Sequence, residues 1–184
     1  VKVDPQTVDL HFALGSLFRR QGEIDRAIRM HQNLLDRPDL PADKRETAVF
    51  ELAQDFHRAG LLDRAEELFA RLDGSPYEHP SLSFLLSIYE QEKDWPKAIA
   101  VTRRMEAIAK QPYHKEIAHY DCELAQGALL KSDFATAQAH LDHARAEYKA
   151  SPRATMLAGD MAAQQGDHAL AIEHWQKIES QNPA

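Results

Sequence analysis

Apolar residues recur along the chain at helical spacing, with polar residues between them, and no segment shows strand-like alternation. That periodicity predicts amphipathic helices throughout. A second, longer period lies over it. The phrases "GEIDRAIRMHQNLL" from Gly22, "GLLDRAEELFARL" from Gly60, "KDWPKAIAVTRRM" from Lys93, "SDFATAQAHLDHA" from Ser132 and "GDHALAIEHWQKI" from Gly166 share one pattern. Aligned on Ala27, Ala65, Ala98, Ala137 and Ala171, they are spaced by 38, 33, 39 and 34 residues.

A period near 34 residues is that of tetratricopeptide repeats, each a pair of antiparallel helices A and B. Each aligned alanine is expected where helix B comes closest to helix A. The facing sites on helix A are Leu14-Gly15, Leu52-Ala53, Leu85-Leu86, Leu124-Ala125 and Ala158-Gly159. Gly22, Gly60 and Gly166 are expected to close helix A in the left-handed conformation, with Lys93 and Ser132 taking that place in repeats three and four. Asp94, Asp133 and Asp167 then serve as N-caps of helix B, and Pro96 falls in a first helical turn. The two long spacings place extra residues in "DRPDLPADKRETAV" and "KQPYHKEIAHYD", as longer helices or loops. The expected architecture is all-α: a right-handed superhelix over 1–184, with repeats near 5–38, 43–76, 79–112, 115–150 and 152–184. No polar capping helix follows the fifth pair, so the sequence is expected to be a piece of a longer protein. The apolar face around Trp175 and Ile178 then suggests self-association, with a homodimer possible.

Composition narrows the function. The chain has 184 residues, 43% hydrophobic, with a net charge of −7. That balance lacks the basic footprint of a nucleic-acid binder. The single cysteine, Cys122, rules out an intrachain disulfide framework. No apolar run approaches the roughly 20 residues of a membrane span. Ten histidines raise the question of metal. His140 and His143 stand three apart on one helix face, but zinc usually takes three or four protein ligands and no HExxH motif occurs. No metal site is therefore assigned. Nucleophile, phosphate-loop and dinucleotide motifs are lacking too, so no catalytic residue is assigned and no enzyme is expected.

What remains is surface. Helix A faces of such repeats line a groove that holds peptides or proteins. By register these positions are Asp9, Phe12, Ser16, Arg19, Thr47, Phe50, Gln54 and His57, then Ser83, Ser87, Glu90, His119, Cys122, Gln126, Met156 and Asp160. The candidate protein-binding set is Phe12, Ser16, Arg19, Phe50, Gln54, His57, Glu90, His119 and Gln126. Phe12 and Phe50 are expected to anchor a partner, unless both rings turn sideways into neighbouring helices. The lysine and asparagine clamp of chaperone-binding repeats is not matched at Phe12, Ser16, Phe50 and Gln54.

The wording of "LHFALGSLFRRQGEIDRAIRMHQNLL", "AGLLDRAEELFARL" and "KEIAHYDCELA" resembles the cytoplasmic part of the lipopolysaccharide assembly protein B family of Gram-negative bacteria. The resemblance implies a non-enzymatic adaptor at the cytoplasmic side of the inner membrane. Its expected partners are the membrane protease FtsH and the deacetylase LpxC, whose degradation it promotes. Family members carry an N-terminal membrane anchor and a C-terminal rubredoxin-like domain that binds zinc or iron. Neither segment lies in this sequence, so no cofactor is expected here. A generic bacterial peptide-binding or assembly module, and a histidine metal site with a sensing or enzymatic role, remain as alternatives.

Overall fold

The computed structural model describes residues 5–181, which form helices and the short connections between them, with no strand among the described residues. The helices are α1 (Pro5–Arg20), α2 (Ile24–Leu35), α3 (Ala42–Arg58), α4 (Leu62–Ala70), α5 (Glu78–Glu92), α6 (Trp95–Ala109), α7 (His114–Leu129), α8 (Phe134–Glu147), α9 (Pro152–Gln164) and α10 (His168–Gln181). Odd-numbered helices occupy the helix A places of the sequence repeat and even-numbered ones the helix B places. The chain divides into two compact units, Val1–Gln91 and Glu92–Ala184. Within the first, α1 packs on α2, α2 on α3 and α3 on α4; within the second, α6 packs on α7, α7 on α8 and α9 on α10.

The turn between helix A and helix B is built the same way along the chain. Gly22, Gly60 and Gly166 have φ of +82°, +75° and +84°, and the non-glycine residues Lys93 and Ser132 take φ of +58° and +56°. A left-handed residue costs an L side chain on the order of 1–2 kcal/mol. Hydrogen bonds across the turn offset it. The amides of Glu23, Leu61, Asp133 and Asp167 donate back to the carbonyls of Phe18, Phe56, Ala128 and Ala162, each at 2.9 Å. That bond spans the helix end and satisfies a carbonyl the helix leaves open. Asp94, Asp133 and Asp167 then cap the next helix, accepting from Lys97, Thr136 and Leu170 N–H groups. Pro96 lies in the first turn of α6.

The two long spacings are absorbed differently. Between α2 and α3 the chain forms a loop, and Arg45 holds it by donating to the carbonyls of Leu35 and Arg37 at 2.8 and 2.7 Å. In the later segment α6 runs for 15 residues and stops at Lys110, which has φ of +52°. The Glu106 side chain then accepts the Tyr113 N–H at 2.8 Å.

Packing follows the register. Ala27, Ala65, Ala98 and Ala137 have no exposed surface, and Ala171 has 1%. Four residues beyond the aligned alanine, helix B carries a larger side chain: His31, Phe69, Leu141 and Trp175 in four of the repeats. Opposite two of these, helix A has no side chain at all. A Cβ on Gly15 would fall 2.4 Å from the His31 ring, and one on Gly159 would fall 2.3 Å from the Trp175 ring. These two glycines are small because their partners are large. A core of Val8, Leu34, Leu40 and Ala48 completes one end of the first unit. In the second, an alanine-rich core runs through Ala118, Ala125, Ala137, Leu141, Ala144, Ala154 and Leu157.

Ala65→Leu adds three carbons to a fully buried contact, so it should overpack α3 against α4 and cost about 1–3 kcal/mol. Thermal unfolding followed by circular dichroism would register this as a lowered midpoint. An unchanged midpoint would show that the alanine is not a close-approach site.

Candidate functional site

The polar positions of helix A lie on the surface by register, and the structure determines what each side chain does there. In the first unit, Arg19 at the end of α1 reaches across to α3. Its guanidinium donates to the Glu51 carboxylate at 2.6 Å, the Asp55 carboxylate at 2.8 Å and the Glu51 carbonyl at 3.0 Å. Burial alone would lower its pKa, but the hydrogen bonds and charges of Glu51 and Asp55 outweigh that and raise it. Asp55 is fully buried, and its other carboxylate oxygen meets His31 Nδ1 at 2.5 Å. A carboxylate accepts, so Nδ1 carries the proton, and Nε2 is left facing Gly15 without a hydrogen-bond partner. Ser16 donates to the same Glu51 carboxylate at 3.1 Å. Arg19 and Ser16 therefore tie α1 to α3 rather than standing open.

The two phenylalanines also turn toward their neighbours. Phe12 is half-buried against the Val8, Leu34, Leu40 and Ala48 core, with its ring 6.1 Å from that of His31. Phe50 stacks on Tyr77 at 4.8 Å and meets Phe69 and Phe84 edge-on at 6.0 and 6.1 Å. Each ring joins a different set of side chains, and the sideways alternative describes them better than an open anchor does. Gln54 is half-buried, with its amide donating to the Phe50 carbonyl at 3.5 Å. His57 packs edge-on to Phe84 at 5.3 Å, and burial, followed by the Arg58 charge, lowers its pKa below the ordinary histidine value. Both causes favour the neutral imidazole. Glu90 is exposed near the end of α5.

In the second unit, His119 and Gln126 are exposed on α7 and share Arg153 from the start of α9. Arg153 donates to Gln126 at 2.9 Å, lies 3.4 Å from His119 Nδ1 and pairs with Glu123 at 2.5 Å. Trp95 stacks on Tyr120 at 5.8 Å with the His119 ring close by. Cys122, a groove position by register, is fully buried in the alanine-rich core instead, and burial pushes its thiol pKa up. It is shielded rather than reactive.

The sequence reading missed Glu51, Asp55, Glu123 and Arg153, the charged partners of its candidate residues. Its groove register selected exposed positions one at a time and had no means of pairing carboxylates with guanidiniums on neighbouring helices. Arg19→Met leaves the buried Asp55 without its guanidinium, which should cost about 3 kcal/mol. Adding Asp55→Asn should recover part of that loss in a denaturant titration. An Arg19 variant as stable as the parent would remove this network from the account.

The sequence profile described as tetratricopeptide repeat matches residues 12–79 and 122–184. The chain is 38% identical over 183 residues, 99% of its length, to lipopolysaccharide assembly protein B of Escherichia coli strain K12, covering 47% of that protein. To the Haemophilus influenzae protein of the same name it is 32% identical over 95% of its length and 44% of that protein. The chain thus spans about half the length of these curated relatives. The crystal structure of MamA protein covers 97% of this chain and 93% of its own at a TM-score of 0.55 and 18% identity, which shows a shared fold.

Proposed function

This chain belongs to the tetratricopeptide repeat family, and we propose that it is the protein-docking part of an adaptor in lipopolysaccharide assembly. The observation that carries this reading is the 38% identity to lipopolysaccharide assembly protein B, which runs over 99% of the chain. In the finer form of the reading, the adaptor acts at the cytoplasmic face of the inner membrane. There it presents the deacetylase LpxC to the protease FtsH, without chemistry of its own. Exposed helix A positions such as Glu90, His119 and Gln126, with the half-buried Gln54, supply the polar contacts. The packed Phe12, Phe50 and Arg19 hold together the helices of the first unit. Rigid presentation suits this task, because a docking surface ordered beforehand loses less conformational freedom on binding. Among the described residues no helix is long and apolar enough to cross a membrane, so attachment would rest on other segments.

The test replaces the corresponding part of a full-length relative with this chain in cells and follows the half-life of the deacetylase. Gln54→Lys together with His119→Ala should leave the melting curve in place and lengthen that half-life. A half-life unchanged by the pair, in a protein that folds normally, would remove these positions from docking. Failure of the unmutated replacement to shorten the half-life would overturn the adaptor reading itself.

A further inference from the structure

The second unit also contains a buried carboxylate that faces an imidazole. Asp121 on α7 is 5% exposed, and Nδ1 of His140 on α8 lies 2.9 Å from its Oδ1. Asp55 has a guanidinium and an imidazole within hydrogen-bond distance. Among the described residues Asp121 has the imidazole, and the Arg103 that lines the same cleft pairs with Glu106 and Glu147. His143, one turn further along α8, brings a second ring to within 6.2 Å of the first, almost perpendicular to it. One ligand atom from each of Asp121, His140 and His143 lies within 4.8 Å of the others. All three line a cleft of about 460 Å³, walled by Pro96, Ile99 and Leu124.

We infer that Asp121, His140 and His143 form a binding site for one divalent transition metal of the zinc class. Two imidazoles are borderline ligands and outnumber the one hard carboxylate, so the set favours zinc, cobalt or nickel over calcium and magnesium. Ligand atoms about 2.1 Å from a tetrahedral zinc stand about 3.4 Å apart. The 2.9 Å pair is already near that separation. His143 is exposed, so its side chain has room to close the remaining distance. The metal takes the place of the proton between Asp121 and His140 and bonds directly to the carboxylate and the imidazole. Three protein ligands leave a coordination position toward the cleft, where water completes the shell.

The test titrates the untagged, EDTA-washed 184-residue chain with ZnCl₂ by calorimetry, and with Co²⁺ by visible absorption. The expected result is one equivalent bound, with d–d bands that report imidazole and carboxylate ligation. His143→Ala, at an exposed position, should melt like the metal-free parent yet bind at least about tenfold more weakly. His140→Ala and Asp121→Asn should weaken binding similarly, while His168→Ala on α10 should leave it unchanged. Absence of saturable binding by the parent, or binding retained in both His140→Ala and His143→Ala, would overturn the site. Neither outcome bears on the adaptor reading, which requires no metal.

Discussion

The tightest constraint in this protein is the distance between the two helices of a repeat where they cross. Close approach there depends on side-chain volume, because protein interiors pack at crystal-like density and tolerate neither gaps nor overlap. The aligned alanines of helix B meet it by being small, and they are fully buried or nearly so. Four residues on, the constraint is met jointly. His31 and Trp175 fit because Gly15 and Gly159 withdraw their side chains. In the second and fourth repeats the corresponding residues are Ala53 with Phe69 and Ala125 with Leu141, all fully buried. Glycine inside a helix costs roughly 1 kcal/mol relative to alanine. Its presence at Gly15 is explained by the ring it accommodates.

His31 links this steric rule to electrostatics. The ring that occupies the space over Gly15 also holds Asp55, and Asp55 holds Arg19. One buried carboxylate thus fastens α1, α2 and α3 together. A buried ion pair gives little net stability against an apolar replacement, but removing one member is costly. The network therefore acts as a lock on the arrangement of these helices rather than as its main source of stability. It leaves Arg19 unavailable as a free cation for a partner, and burial of His57 works in the same direction.

Much of this was legible in the sequence because it depends on local chemistry repeated at a fixed period. The helix pairs, the alanines, the left-handed turns at Gly22, Gly60 and Gly166 and the aspartate caps each follow from residue type and register. Lys93 and Ser132 were legible only through the repeat, since neither residue by itself suggests a left-handed turn. The candidate surface was less legible. Register says which face of a helix a residue occupies, but not whether a long side chain on that face turns outward. Phe12 and Phe50 turn inward because aromatic neighbours such as Tyr77 and Phe84 lie on other helices. Cys122 is small enough to sink into the alanine-rich core. Asp121 joined the His140 and His143 pair only when folding brought α7 against α8.

The most direct measurement of the size-matching rule is a double-mutant cycle on Gly15 and His31, read by denaturant unfolding. Gly15→Ala places a methyl group against a ring held by Asp55, so in the parent it should destabilise. With His31→Ala the obstruction is gone, and Gly15→Ala should then stabilise by about 0.5–1 kcal/mol, the ordinary gain of alanine over glycine in a helix. That reversal of sign is the predicted result. The same effect of Gly15→Ala in both backgrounds would contradict the rule.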